Sequence, residues 1–208
     1  MITLVLNSPD IDEELLSKLS RNSVLIGVDG GLNRIIAAGL KPDWAVGDFD
    51  SVNPGLLAGL PRETKVLWAP VEKDFTDLEL ALRVVKKYRP RRINILGLGG
   101  GRRFDHQLVN TLLLNRYAQG VCVQAWSGVQ KLIFTDKAQV LFKSEGEMFS
   151  VFALEKPVTV SLRGAKYSGT GLRLLPGSGL GLGNEIVKSR ALVGVGGGIA
   201  VICQWSNR

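Results

Sequence analysis

Short apolar runs alternate with amphipathic stretches along the first three-fifths of the chain. Ile2 to Leu6 reads as a buried strand, and Ser8, Pro9 and Asp10 supply helix-start chemistry before the amphipathic stretch Ile11 to Leu19. Val24 to Val28 repeats the strand pattern and ends at Asp29, Gly30 and Gly31. Leu32 to Ala38 then has helical spacing, with Gly39 placed as its C-cap. After the turn at Pro42 and Asp43, Trp44 to Val46 is a brief strand that runs into Val46–Ser51, VGDFDS. Asn53 and Pro54 open a short helix that Pro61 cannot continue, and Lys65 to Trp68 is a further strand. In KDFTDLELALRVVKKY the apolar residues Leu78, Leu82 and Val85 recur at helical spacing. Thr76 and Glu79 have capping-box spacing, so that helix begins near Thr76. Ile93 to Leu98 is a strand, Gly99 to Arg103 a glycine-rich turn, Asp105 to Ala118 a helix closed by Gly120, and Val121 to Ala125 another strand.

From about residue 127 the texture changes. Lys131 to Thr135, Val140 to Phe142, Phe149 to Ala153, Val158 to Leu162 and Ile199 to Gln204 are short apolar runs separated by glycine, proline or charged turns, with no clear helix. The glycines of Gly177–Gly183 and Gly194–Gly198 have apolar flanks that favour turns and bulges within a sheet. The pattern predicts an α/β N-terminal domain with a mainly parallel sheet, residues 1–126, followed by a small antiparallel β-sandwich-like domain, residues 127–208. The boundary falls between Ala125 and Gln130.

Composition narrows the function classes. The 208 residues contain no apolar run near the roughly 18 of a membrane span. The opening MITLVLNSPD lacks the basic n-region and apolar length of a signal peptide, which points to a cytoplasmic protein. Cys122 and Cys203 lie in strand-like runs without a second Cys or His at ligand spacing, and read as buried reduced thiols. Lys and Arg exceed Asp and Glu by 26 to 19, a balance that favours anionic partners, either nucleic acid or a phosphorylated small molecule. The basic cluster Arg83 to Arg92 lacks the interleaved aromatics of a single-strand stacking platform and reads as a solvated helix end.

The candidate chemistry follows the strand ends. In an open parallel sheet, ligands bind beyond the carboxyl ends of the strands, where strand order reverses. Asp29 follows the second strand, Asp48 and Asp50 the third, Asp74 and Asp77 the fourth, and Gly99 to Asp105 the fifth. Taken alone, an Asp-x-Asp reads first as a turn in which the aspartates bond nearby backbone N–H groups, and only then as a site. Carboxylates gathered at one rim repel, however: two unit charges about 4 Å apart interact by roughly 4 kcal/mol at an effective dielectric near 20. A hard divalent ion resolves the conflict, and Mg²⁺ is typically held by one or two carboxylates together with substrate phosphates. Gly99 to Arg103 would set backbone N–H groups and a helix start against an anion, with Arg102 and Arg103 as cationic donors. Neither the P-loop pattern nor G-x-G-x-x-G occurs. His106, the only histidine, can cap its helix, contact a phosphate or act as a base.

These motifs together resemble the thiamine pyrophosphokinase family. The likeness rests on DGG at Asp29 to Gly31 with LNRIIAAGLKPDWAVGDFDSV after it, DFTDLELAL from Asp74, and GGGRRFDHQLVNTLLL from Gly99. It continues more thinly through GAKY and GLGNE. The resemblance implies transfer of a diphosphate from ATP to the hydroxyl of thiamine, giving AMP and thiamine diphosphate, with Mg²⁺ as cofactor. It implies a homodimer whose active sites join the α/β domain of one chain to the β domain of the other, and no nucleic-acid or membrane partner. Carried over by position, Asp48, Asp50, Asp74 and Asp77 match the acidic residues around metal and phosphates. Asp29, Gly30 and Gly31 match the nucleotide-side turn, and Gly100, Gly101, Arg103, Asp105 and His106 the glycine-rich R-x-D-H element. Tyr167 and Asn184 match the thiamine-binding half. Two departures bear on substrate contacts: Tyr167 stands where the family often has Trp, and Gly183 where it often has Ser.

The implied mechanism is in-line attack by the thiamine hydroxyl on the β-phosphorus of ATP, with Asp74 or Asp77 accepting the hydroxyl proton. Two other readings compete with it. One is a diphosphokinase for another heteroaromatic alcohol such as a hydroxymethylpterin; the other is a nucleotide- or nucleic-acid-binding module without turnover.

Overall fold

The computed structural model describes residues 1–70, 72 and 74–206. They divide into two units: Met1–Asn110 with Ala125–Gly128, and Thr111–Gln124 with the chain from Val129 onward.

In the first unit β1 (Ile2–Val5), β2 (Val24–Val28), β3 (Trp44–Gly47), β4 (Lys65–Trp68) and β5 (Arg92–Leu96) pair in parallel in the order β4-β3-β2-β1-β5. The connecting helices are α1 (Glu13–Ser20), α2 (Gly31–Ala37), α3 (Pro54–Ala58) and α4 (Asp77–Lys86), followed by α5 (Phe104–Tyr117) and β6 (Cys122–Ser127), which both cross the unit boundary. Parallel strands covered by helices must be apolar on both faces, and β1 is buried at every position. One face packs Val5, Leu25 and Leu96 against Leu16 of α1, together with Ile35 of α2. A second cluster gathers Leu32, Ala45, Phe49 and Val52.

The helix starts follow their caps. Thr76 and Glu79 form the expected capping box: Glu79 N donates to Thr76 Oγ1 at 3.2 Å and Thr76 N to Glu79 Oε2 at 2.8 Å. The first helix begins later than its Ser-Pro-Asp signal suggests. Ser8 is buried, donates to Gly99 O at 2.6 Å and accepts from Asp10 N at 3.2 Å, so both sides of its hydroxyl are engaged ahead of the helix, and Asp12 caps α1 instead, accepting from Leu15 N at 3.0 Å. The basic cluster does contain one aromatic residue, Tyr88, and folding brings Trp44 against it. Tyr88 accepts from Trp44 Nε1 at 2.8 Å, and Lys65 and Lys87 lie over the Trp44 ring.

The second unit is all but devoid of helix beyond the end of α5. β7 (Gln130–Thr135), β9 (Met148–Ala153), β12 (Asn184–Glu185) and β14 (Ala200–Trp205) pair antiparallel, with β14 between β7 and β9. β8 (Gln139–Phe142), β10 (Val158–Arg163), β11 (Gly169–Leu174) and β13 (Arg190–Gly196) form a four-stranded antiparallel sheet in the order β11-β10-β13-β8. Ile133, Phe149, Val151 and Ile202 from the first set share a core with Leu141, Val160, Leu174 and Val193 from the second. The sequence pattern covers β7, β8, β9, β10 and β14 but passes over β11, β12 and β13. Glycines interrupt the alternation in β11 and β13, and β12 is two residues long. Among the described residues no helix is long and apolar enough to cross a membrane.

Candidate functional site

The chain runs β1 to β4 outward on one side of β1 and then places β5 on its other side, so strand order reverses beside β1. Beyond the carboxyl ends of these strands lies an open cavity of about 670 Å³. Leu6 and Asn7 line it after β1, Asp29 after β2, Asp48, Asp50 and Ser51 after β3, Phe75 to Leu78 at the start of α4, and Gly97 to Gly99 after β5. Gly101, Arg102, Arg103, His106, Gln107 and Asn110 complete its basic side.

Two left-handed residues shape the acidic side. Asp29 has φ 46° and Phe49 has φ 62°, a region that costs non-glycine residues energy and persists only when the surroundings hold it. Phe49 is held by burial: it is 5% exposed and meets Trp68 edge to face, with ring centroids 5.0 Å apart. Asp29 is tied to β3 by its N–H, which donates to Val46 O at 2.8 Å. The outcome is that carboxylate oxygens of Asp29, Asp48 and Asp50 lie within 4.8 Å of one another.

This group fits a hard cation. Oδ1 of Asp29 is buried and has no hydrogen-bond partner among the described residues. Burial pushes the Asp29 carboxyl above the usual aspartate range and the charges of Asp50 and Asp77 push the same way, against hydrogen bonds from Gly30 and Ser51. A buried, unpaired oxygen beside two further carboxylates is an arrangement that a divalent ion would relieve. The single Ser51 hydroxyl proton is directed at Asp50 Oδ1, 2.9 Å away, so this one group lies between the Asp29 and Asp50 carboxylates.

The glycines serve close approach. A Cβ on Gly31 would overlap the carbonyl of Val5, so α2 can start directly against β1 only with glycine there. Gly100, at φ 86°, passes so near the Asp10 carboxylate that a side chain would collide with it. On the basic side Arg103 Nε donates to Asp105 Oδ1 at 2.9 Å, and its Nη2 donates to Asp105 Oδ2. That paired guanidinium holds the Asp105 carboxyl well below the usual range, and both side chains are exposed.

The residues singled out from the sequence divide accordingly. Asp29, Asp48, Asp50, Asp77, Gly101, Arg103 and His106 are on the cavity wall. Gly30, Gly31, Gly100 and Asp105 are next in sequence to lining residues or one removed from them without lining the cavity themselves, and Asp74 is exposed and outside the lining. In the second unit Tyr167 is 63% exposed, whereas Asn184 is 2% exposed and spends its side-chain amide on the backbone of Tyr167. Sequence reading passed over Asn33, whose amide Nδ2 donates to Ser51 O at 2.8 Å and whose Oδ1 accepts from Asn53 N at 3.2 Å. The available signal was an asparagine inside a helix, where it is a poor former. It also passed over Phe75, which lines the cavity with Arg83 4.5 Å from its ring.

Comparison with known proteins gives concordant results. The family model described as "Thiamin pyrophosphokinase, catalytic domain" matches residues 15–138. A curated relative, the thiamine pyrophosphokinase of Bacillus subtilis (strain 168), is 30% identical over 207 residues, covering 97% of this chain and 96% of the relative. Among solved structures, thiamine pyrophosphokinase from Bacillus subtilis superposes with a TM-score of 0.87 at 27% identity, covering 100% of this chain and 99% of the other. The enzyme from Geobacillus thermodenitrificans does so with 0.85 at 27% identity, covering 99% and 97%. The Candida albicans protein shares the fold at 16% identity and a TM-score of 0.77, covering 98% of this chain and 88% of that one.

Proposed function

The chain belongs to the thiamin pyrophosphokinase family, and on that premise we propose how its own residues perform the reaction. Its activity is that of an ATP-dependent diphosphotransferase making thiamine diphosphate. The observation that carries the assignment of the site is the carboxylate group of Asp29, Asp48 and Asp50 facing the arginine-bearing turn across one cavity.

Asp29, Asp48 and Asp50 would hold Mg²⁺, with Asp77 close enough for its charge to act on Asp29. When bound, the ion would offset charge on the transferring phosphates. This set differs from the one inferred by position: Asp29 joins it from the nucleotide-side turn, and Asp74 moves to the periphery. Arg102 and Arg103, with the backbone of the glycine-rich turn and the start of α5, supply donors to phosphate oxygens, and Asp105 orients Arg103. His106, in the first turn of that helix, adds a polar contact on the same side. Between the two proton acceptors left open, the cavity wall favours Asp77, which lines it, over Asp74, which does not. Little covalent participation is required of the protein; positioning and charge carry the chemistry.

For thiamine, Tyr167 offers an exposed ring suited to stacking on a heteroaromatic system, and Asn184 holds its backbone. In a homodimer Tyr167 would reach the cavity of the other protomer. Exposed apolar side chains on each unit are consistent with that assembly: Phe104, Leu108 and Val109 on α5, and Val140, Phe142 and Leu192 on the four-stranded sheet. With ATP as co-substrate, the proposed setting of the reaction is the cytoplasm.

The test is incubation with ATP, Mg²⁺ and thiamine, with product analysis. AMP and thiamine diphosphate in equal amounts are expected, and ADP in place of AMP would defeat the assignment. Asp50→Asn and Asp77→Asn should each lower turnover at least a hundredfold while shifting the thermal midpoint by only a few degrees, the pattern for groups acting in the transition state rather than in the core. Light scattering should give twice the monomer mass.

A further inference from the structure

Asn33 stands on the third position of α2, four residues after Asp29, and its side chain reaches the far end of the Asp48–Asp50 loop. The amide behaves there like one residue of a strand: Nδ2 donates to the carbonyl of Ser51 at 2.8 Å, and Oδ1 accepts the N–H of Asn53 at 3.2 Å. Both functions of the amide are thus committed to backbone, two residues apart on the same segment.

The consequence lies in what that segment carries. Ser51, whose carbonyl Asn33 holds, donates its hydroxyl to Asp50, and the same hydroxyl lies near enough to the Asp29 carboxylate to favour its charged form. The other end of the loop is anchored by Gly47, whose carbonyl accepts from Ala69 N at 2.9 Å, and its middle by the buried Phe49 ring. Without the amide, the run from Asp50 to Asn53 would be positioned relative to α2 by apolar packing, that of Val52 with Leu56 and Leu57 in the cluster around Leu32, which is less directional than a pair of hydrogen bonds. The distances among three carboxylates would then vary with it. A cation site is sensitive to such variation, because Mg²⁺ demands near-ideal geometry at short ligand distances.

We propose that Asn33 is the positioning residue that sets the separation of Asp29 from Asp50, and through it the affinity of the acidic cluster for a divalent ion. The inference rests on the metal site proposed above. Asn33 touches neither ion nor substrate; it acts through Ser51.

Direct measurement of Mn²⁺ binding to the free protein by electron paramagnetic resonance tests this, alongside turnover as a function of Mg²⁺ concentration. Removing an outer-shell partner typically costs 10–100-fold in metal affinity. For Asn33→Ala the Mn²⁺ dissociation constant should rise by about tenfold at the lower end of that range. The Mg²⁺ concentration for half-maximal rate should rise in step, while kcat at saturating Mg²⁺ returns to within about threefold of the parent. Asn33→Gln, which keeps the amide, should recover part of the affinity. If Asn33→Ala yields no folded protein, Asn33→Leu, close to asparagine in volume, carries the same expectation. Unchanged Mn²⁺ affinity in the variants, with binding by the parent intact, overturns the role of Asn33 and leaves the metal site standing. Failure of the parent itself to bind Mn²⁺ overturns the metal site and this inference with it.

Discussion

Asn184 clamps Tyr167 through both of that residue's backbone groups: its Oδ1 accepts from Tyr167 N at 3.0 Å and its Nδ2 donates to Tyr167 O at 2.9 Å. The amide is buried and the ring it steadies is exposed, so under the function proposed above Tyr167 would contact substrate and Asn184 would preorganise it. Tyr167→Ala should raise the KM for thiamine by about tenfold, the worth of one aromatic stacking contact. The KM for ATP should stay where it is, and Tyr167→Trp should retain near-parent values. Steady-state kinetics with each substrate varied separately checks this.

Phe49 is bent into the left-handed region and compensated by burial against Trp68. Phe49→Ala should therefore remove the compensation and keep the strain, costing about 3–5 kcal/mol in denaturant unfolding. Turnover at low Mg²⁺ should fall more than stability alone explains, because Asp48 and Asp50 lose their common anchor.

Two glycines predict opposite outcomes for the same substitution. Gly31→Ala would drive a methyl group into the Val5 carbonyl and should prevent accumulation of folded protein. Gly55→Ala, in α3 with open space around it, should stabilise by about 0.5–1 kcal/mol through helix propensity. Thermal melts of the pair provide the comparison.

The raised pKa of Asp29 gives a pH dependence with a definite sign. A carboxyl whose folded-state pKa lies above its unfolded value of 3.8 binds its proton more tightly when folded. Its contribution is favourable below the unfolded pKa and is lost as pH rises through the folded one. In the presence of a chelator, Asp29→Asn should thus melt higher than the parent at pH 7, with the difference vanishing toward pH 3. Asparagine also tolerates the left-handed backbone, so the substitution adds no strain. Adding Mg²⁺ should reverse the order, since only the parent keeps the complete carboxylate set.

Local chemistry carried much of this molecule's plan. Hydrophobic spacing determined the alternation of strands and helices in the first unit, because burial on both sheet faces leaves a pattern that no distant contact is needed to read. The capping box at Thr76 and Glu79 and the order of the acidic and glycine-rich motifs were equally legible, as was the family they resemble. Tertiary structure decided the rest. Ser8 reads as a helix cap until Gly99, 91 residues away, claims its hydroxyl. Asp29 reads as part of a turn until a left-handed backbone and burial set it against Asp48 and Asp50. Asn33 is marked in the chain only as a poor helix former inside a helix, since its meaning lies in two backbone groups that only folding brings within reach. Which carboxylates share an ion and which polar groups serve as scaffolding depend on separations of a few ångströms between segments remote in sequence, and periodicity does not encode those separations.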